Sequence, residues 1–424
     1  MLHTSYSFPL AFEANLVGDL LDTLKLAPRS TILDPFCGTG TTVLESKIRG
    51  YRSVGVDANP VCVMVSRAKT DWGIDVAQLK KRTAEIVQTA SAQYARYLAR
   101  FQAAKGKGKR YAAQSDPLFS TSHIGGYLVE SGLLHRGWIS PRPALKALLL
   151  AEEIRNAPSH LQDFLFLCFL GLLVPEFSNM AYGPEIYRKR KRHDSDVFGL
   201  FESRTKETLA KMEELRKSHH DAGSRVRFGD SVNGGLSFLP RGSIDAVITS
   251  PPYLSDHDYS RLTRLELVFT ETVTSKDDLR AMKKFLLRSS SKNVYKGDSL
   301  AAEAIRFRAV KDAVAAVAER AESRSSGFAR VYPRLVGEYF GGMYQHFRRI
   351  GRVLRAGGHA AYIVGDQSSF FATPIPTARI LAQLAEECGA GLELIDMLPV
   401  RKLRGTRGQV TWSNSEWLIL LHKS

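Results

Sequence analysis

Short apolar runs alternate with longer helical periods at both ends of this chain, and that alternation predicts its architecture. "STILD" (Ser30–Asp34) is an apolar run bounded by polar residues, the pattern of a buried strand. "PFCGTGTT" comes next, followed by a helical stretch, "TVLESKIRG", that ends at Gly50. "YRSVGVDANP" predicts a second strand through Val56, with Asp57 just beyond it. Asn59 and Pro60 then supply an N-cap and a first helical residue for "VCVMVSRAK". Strand, glycine loop, helix, strand, acid, helix is the first half of an α/β doubly wound nucleotide-binding sheet. The pattern resumes in "RVRFGDS" (Arg225–Ser231), "SIDAVIT" (Ser243–Thr249) and "HAAYIVGD" (His359–Asp366). A helix, "TARILAQLAEECGA", follows, and "LELIDMLPV" and "EWLILLHK" close the chain as a strand pair.

Two stretches interrupt this pattern. Residues 70–224 read as mainly helical, with "ALKALLLAEEIRN" and "LQDFLFLCFLGLL" as the strongest helices; residues 272–325 are basic and then Ala-rich. The expected organisation is a sheet domain from residues 1–69, 225–271 and 326–424, carrying a helical insertion (70–224) and a basic one (272–325).

The charge is concentrated. Of a formal net +16, four acid-free segments hold 21 basic residues: Gln93–Arg110, Arg188–Arg192, Leu279–Lys296 and Arg401–Arg407. The remaining chain is net −5, so basicity belongs to discrete segments and not to the body of the fold. A single basic run is usually a solvated face; four of them favour a polyanionic partner.

Other classes fit poorly. Cys37, Cys62, Cys168 and Cys388 form no CxxC pair, so neither a zinc site nor a disulfide framework is indicated. The N-terminus has no basic start followed by an apolar core, and "FLFLCFLGLLV" (Phe164–Val174) is too short to span a bilayer. The expectation is a soluble intracellular protein with no membrane partner, located in the cytoplasm with the nucleoid.

Two motifs carry chemistry. In "DPFCGTG" two glycines allow a tight turn and a close backbone approach to a ligand at a helix start. The third glycine of the dinucleotide fingerprint is missing, and Asp34 at the strand end would repel a pyrophosphate. It would suit a ligand with a positive amino acid end, while Asp57, one strand on, would accept ribose hydroxyls. The second motif, "ITSPPYLS" (Ile248–Ser255), ends an apolar run in two prolines that can continue neither a ladder nor a helix. What results is a stiff corner with outward carbonyls, a hydroxyl before it and an aromatic ring after it.

These residues resemble those of S-adenosylmethionine-dependent amino-methyltransferases acting on nucleic acid, most of all the DNA cytosine-N4 (TSPPY) enzymes. "DPFCGTGTT" resembles the family's motif I, "HTSYSFP" motif X, "GVDANP" motif II, "GDS" (Gly229–Ser231) motif III and "TSPPY" the catalytic motif IV. "RVLRAGGHAAYIVGD" resembles the helix–strand unit that follows. The likeness covers about half of the chain, and the order differs from many enzymes with this loop, in which the catalytic motif comes first.

The resemblance implies a Rossmann-like methyltransferase sheet, S-adenosylmethionine as cofactor and double-stranded DNA as partner. A cognate restriction endonuclease is a further partner that it admits. Phe36, Gly38 and Gly40 would surround the methionine part and Asp57 would hold the ribose, with Asp34 and Thr41 also binding the cofactor, and Asp230 would lie near the adenine. In the catalytic corner, the Ser250 hydroxyl and the Pro251 carbonyl would hold the protons of an amino group. Pro252 would stiffen the turn and Tyr253 would stack on a flipped base. No metal is required. For Asp230 a turn or cap role competes; Asp256 and Asp258 read as solvated or capping residues, and Cys37 as a packed spacer.

Arg401, Lys402, Arg404 and Arg407 join the last two strands, so they should overhang the face that holds motif IV. They are the first candidates for nucleic-acid contact. Arg188, Lys189 and Arg190, after "FSNMAYGPE", come second, and "KGKGKR" reads as a loop. The alternatives are an adenine-N6 enzyme, an RNA base methyltransferase, a silent nucleic-acid-binding subunit and, least favoured, a small-molecule methyltransferase. Serine before Pro-Pro-Tyr favours cytosine. RNA enzymes that pair these motifs typically carry an N-terminal RNA-binding domain, for which the 33 residues ahead of Asp34 leave no room.

Overall fold

The strands expected from the sequence form in a computed structural model. It describes residues 2–9, 13–105, 119, 122–183, 185–219, 221–322, 324, 327, 329–368, 370–407 and 410–424, without the side chains of 100–105, 123 and 402–414. The strands are β1 (Thr31–Asp34), β2 (Arg52–Asp57), β3 (Met180–Ala181), β4 (Tyr187–Arg188), β5 (Ser224–Phe228), β6 (Ile244–Thr249), β7 (Leu354–Gly365), β8 (Leu392–Arg407) and β9 (Val410–Lys423). Seven of them make one sheet in the order β5-β2-β1-β6-β7-β9-β8. Pairing is parallel from β5 through β7; β9 then inserts antiparallel between β7 and β8. This is a Rossmann-like doubly wound sheet with a C-terminal antiparallel strand pair.

The chain divides into two compact units. The sheet unit comprises Phe12–Asn59, Ala222–Tyr259 and Met282–Ser424; the helical unit comprises Met1–Ala11, Pro60–Asp221 and Ser260–Ala281. These boundaries differ from the sequence expectation. The helix Pro60–Thr70 and the segment Ser260–Ala281 pack with the helical unit, while residues 282–325 pack with the sheet. Apolar burial decides this: Val310, Ala313 and Val317 of the "insertion" share a core with Tyr339 and Phe340.

Within the sheet unit, the period-2 alternation of the strands sends side chains to two covered faces. Ile32, Ala246, Ile248, Ala361 and Ile363 pack on Val17, Leu20 and Leu21 of the helix Ala14–Thr23. Leu33, Val247, Ala360, Tyr362 and Val364 face the helices Tyr332–Val353 and Thr377–Glu387. Burial on both faces explains why the central strands read as continuous apolar runs.

The helical unit has its own core, with Leu148, Phe164, Phe169 and Phe201 fully or nearly fully buried. Among the described residues one helical run, Ser159–Phe177, is long and apolar enough to cross a membrane, and it supplies part of this core. "HTSYSFP" and "FSNMAYGPE" meet here: the Tyr6 and Tyr182 hydroxyls both donate to Glu266 Oε1, at 3.1 and 2.5 Å. Burial pushes Glu266 up to about 7. "YSRLTRLELVF" forms two short helices, Tyr259–Leu262 and Arg264–Phe269. Leu262, Leu265 and Phe269 are buried in the unit's core. "KGKGKR" falls outside the described residues beyond Lys105, where the helix Val76–Lys105 ends.

Candidate active site

The chain runs outward from β1 to β2 and β5 before crossing back to β6, so the strand order reverses between β1 and β6. Open α/β sheets bind ligands at the carboxyl ends of strands beside such a switch point. The glycine loop leaves β1 there, and "SPPY" leaves β6 there. One bond joins them: the Thr249 hydroxyl donates to Asp34 Oδ1 at 2.6 Å.

The loop is built around two acids. Asp34 is fully buried, and its Oδ1 also accepts the Phe36 N–H at 3.1 Å. Its Oδ2 has no donor; the neighbouring Thr42 hydroxyl is engaged with the Ile248 carbonyl at 3.2 Å. Burial pushes the Asp34 carboxyl up to about 7. Asp57 accepts from the Gly38 N–H at 2.8 Å and from the Asn59 N–H at 2.7 Å, and burial pushes it to about 6. Gly38 and Gly40 have φ of +48° and +87°, which side-chain-bearing residues rarely adopt. A Cβ on Gly38 would meet nothing within 4 Å, so the loop presents open backbone to a ligand. Gly40 precedes the helix Thr41–Ile48, which begins with the buried Thr41. Cys37 is buried against Gly55, where an added Cβ would come within 3.0 Å of its Sγ. The partly buried Phe36 ring lies 4.9 Å from the His346 ring.

Asp230 follows β5 and closes a turn. It accepts from Val232 N–H at 2.7 Å and from the Asn233 amide, and Gly235 N–H reaches its carbonyl. Burial raises its carboxyl.

In the proline corner Pro251 is buried, while Ser250, Pro252 and Tyr253 are half-buried. The Tyr253 N–H donates to the Tyr259 hydroxyl at 3.1 Å, and its ring lies so close to Gly365 that a Cβ there would come within 3.0 Å. Its hydroxyl donates to Glu416 Oε1 at 2.7 Å, and burial raises the phenol well above its ordinary value. Sequence reasoning missed Glu416, a buried acid on the last strand; the available signal was one acid inside the apolar run "EWLILLHK".

Asp256 and Asp258 hold the corner to the following segment, which corrects their reading as solvated or capping residues. Asp256, with φ of +62°, accepts from Ser291 N–H at 2.6 Å, Ser290 Oγ at 3.2 Å and Tyr332 Oη at 3.1 Å. Asp258 pairs with Lys283 at 2.8 Å. Arg288 is likewise engaged, by both oxygens of Asp298. Two cations of the basic segment Leu279–Lys296 are thus neutralised internally.

The strand register carries the last basic segment past the sheet. Gly365 ends β7 opposite Glu416, yet β8 and β9 continue pairing from Arg401 opposite Glu416 to Arg407 opposite Val410. This backbone arm overhangs the carboxyl end of β7. Arg401 sits at its base and pairs with Glu416 at 2.6 Å. The side chains of Lys402, Arg404 and Arg407 lie outside the described residues. Arg188, Lys189 and Arg190 are exposed at the end of the β3–β4 pair of the helical unit. Among the described residues no group of His, Cys, Asp or Glu side chains could hold a metal ion.

Comparison with known proteins puts this arrangement in context. No family profile matches the chain. A solved structure, the rRNA methyltransferase aviRa from Streptomyces viridochromogenes, aligns over 98% of this chain and 89% of its own at 10% identity. Its TM-score is 0.32, so the fold rests on strand order and not on that likeness. Methyltransferases of this fold use S-adenosylmethionine as methyl donor, and the partnerless Asp34 oxygen and open Gly38 backbone fit an ammonium-bearing ligand of that kind. The Type II methyltransferase M.AvaI of Nostoc sp. is 29% identical over 178 residues, 39% of this chain and 36% of its own. The Type II methyltransferase M.BsoBI of Geobacillus stearothermophilus is 24% identical over 279 residues, 63% of this chain. The chain spans about half the length of that relative, 52%, and within that span it is similar to a Type II methyltransferase.

Proposed function

We propose that this chain is a site-specific DNA methyltransferase that moves a methyl group from S-adenosylmethionine to the exocyclic N4 amino group of a flipped-out cytosine. The observation that carries the reading is the Thr249–Asp34 hydrogen bond, which sets the "SPPY" corner beside the glycine loop. Similarity to Type II methyltransferases supports the reaction class, and serine ahead of Pro-Pro-Tyr favours cytosine over adenine.

When bound, S-adenosylmethionine supplies an activated methyl group. Asp34 Oδ2 would hold its ammonium, the Gly38–Gly40 backbone its methionine part and Asp57 its ribose, with Phe36 and Thr41 lining the loop. Asp230 is assigned to the adenine end through its place after β5, although its oxygens already close a turn.

A cytosine amino group is a poor nucleophile because its lone pair is conjugated into the ring. Ser250 Oγ and the Pro251 carbonyl would accept its two hydrogens and draw the nitrogen toward a tetrahedral shape. Pro251 and Pro252 fix these acceptors in advance, so little reorganisation accompanies reaction. Tyr253 would stack on the extruded base, and alignment supplies much of the acceleration. Lys402, Arg404 and Arg407 on the overhanging arm, with Arg188, Lys189 and Arg190, would neutralise phosphates, while Arg401 at its base is engaged by Glu416.

The test is methyl transfer to mixed-sequence duplex DNA, followed by digestion and mass identification of the modified nucleoside. N4-methylcytosine from the wild type and none from Ser250→Ala is the expected result. N6-methyladenine would replace the base assignment, and transfer to RNA alone, or none at all, would overturn the reading.

A further inference from the structure

Glu416 is opposite Gly365 of β7 on one side and Arg401 of β8 on the other. It is only 6% exposed, and a buried carboxylate needs partners. Tyr253 Oη donates to its Oε1 at 2.7 Å, and Arg401 Nε meets its Oε2 at 2.6 Å. Arg401 Nη2 also lies 3.4 Å from Oε1. Beyond Tyr253 the line continues, because Ser250 Oγ is 3.5 Å from the same phenol oxygen. It therefore runs from an exposed arginine on the arm, through a buried acid and a phenol, to the hydroxyl at the proposed reaction centre.

The donor and acceptor chemistry gives this line one direction. A carboxylate accepts only, and a phenol has one proton. Tyr253 gives that proton to Glu416, so toward Ser250 it offers lone pairs alone. The Ser250 hydrogen points to Tyr253, which leaves the outward lone pairs of Ser250 free to accept. An amino group arrives with hydrogens, so this is the polarity that methyl transfer to it needs. With the line reversed, Ser250 would direct a hydrogen at another hydrogen.

We propose that Glu416 is a positioning residue for the reaction: acting through Tyr253, it fixes Ser250 as an acceptor, while Arg401 holds its second oxygen in place. The contact also pins the Tyr253 ring over Gly365, the face to which a side chain at position 365 would deny access. The inference rests on the methyl-transfer reading above.

The experiment is steady-state methyl transfer to duplex DNA by the full chain. It compares wild type, Ser250→Ala, Tyr253→Phe, Glu416→Gln and the Tyr253→Phe/Glu416→Gln double variant. Tyr253→Phe and Glu416→Gln each lower kcat on the order of 100-fold, with the KM for S-adenosylmethionine and the Tm unchanged, while Ser250→Ala is inactive. The double variant falls no further, because the line is already cut. Tyr253→Phe keeps the ring and the Glu416–Arg401 pair, so it decides the matter alone should Glu416→Gln fail to fold. Wild-type kcat in Tyr253→Phe or Glu416→Gln, or losses that multiply in the double variant, overturn the proposal while wild type remains active and Ser250→Ala dead. An inactive wild type, or an active Ser250→Ala, instead overturns the methyl-transfer reading and this inference with it.

Discussion

Thr249 Oγ1 donates a 2.6 Å hydrogen bond to Asp34 Oδ1, joining the ends of two neighbouring parallel strands that lie 215 residues apart in sequence. Both residues are fully buried. Thr249→Val keeps the shape and removes the donor, leaving a buried carboxyl one bond poorer. The expected cost is about 1–3 kcal/mol in folding stability. A denaturant midpoint that falls at constant m checks it; an unchanged midpoint means that the bond contributes nothing.

The pH dependence of Asp34 has a definite sign. Burial raises its carboxyl from the ordinary 3.8 to about 7, so the fold prefers the protonated form. That contribution is complete below about pH 4 and is lost as pH rises through about 7. Asp34→Asn removes the penalty of burying a charge, so its Tm advantage over wild type should widen from about pH 5 to about pH 8. Glu266, pushed to about 7, titrates equally in both proteins and cancels; Asp57, pushed to about 6, repels an ionised Asp34, and loss of that repulsion in the variant widens the same difference. Scanning calorimetry across this window would show a constant difference if Asp34 were ionised throughout.

Gly38 and Gly55 should fail for different reasons when replaced by alanine. Gly38 has φ of +48° and empty space around its missing Cβ, so Gly38→Ala carries only the left-handed strain, about 1–2 kcal/mol. A Cβ on Gly55 would sit 2.9 Å from Val43 Cγ2 and 3.0 Å from Cys37 Sγ, an overpacking of about 1–3 kcal/mol. Titration with S-adenosylhomocysteine, set beside Tm, separates them. Gly38→Ala should lose affinity out of proportion to its stability, and Gly55→Ala should lose chiefly stability.

Asp256 should govern the order of the proline corner. Asp256→Ala removes the acceptors for Ser291 N–H, Ser290 Oγ and Tyr332 Oη. Amide exchange should then quicken in Asp256 and in Ser291–Asn293, the amides that this carboxylate and its turn protect, while β6 is unaffected. Equal protection in variant and wild type would show that the corner is held by its prolines alone.

Charge neutralisation predicts which cations reach DNA. Each of Arg404→Ala and Arg407→Ala should lower the slope of log K against log salt by about 1. Lys283→Ala should leave it alone, because Lys283 is 13% exposed and bound to Asp258. A slope that responds to Lys283 and not to the arm would reverse that assignment.

The sequence by itself determined the strands, the glycine loop and the proline corner, because each is a local matter. Short apolar runs bounded by turn residues suit strands buried on both faces, a left-handed turn selects glycine, and two prolines forbid both ladder and helix. It also put the basic segment between the last two strands, whereas the structure extends those strands through it, with Arg401–Arg407 part of β8. Only the tertiary structure decided what those pieces touch. That Asp34 meets Thr249, that Asp256 holds Ser291, that residues 282–325 share the sheet's core and that Glu416 reaches Tyr253 are all contacts across long loops. No periodicity encodes them. A carboxylate on a strand reads alike whether it faces water or a phenol, and the partner comes within hydrogen-bond distance only after the strands have paired.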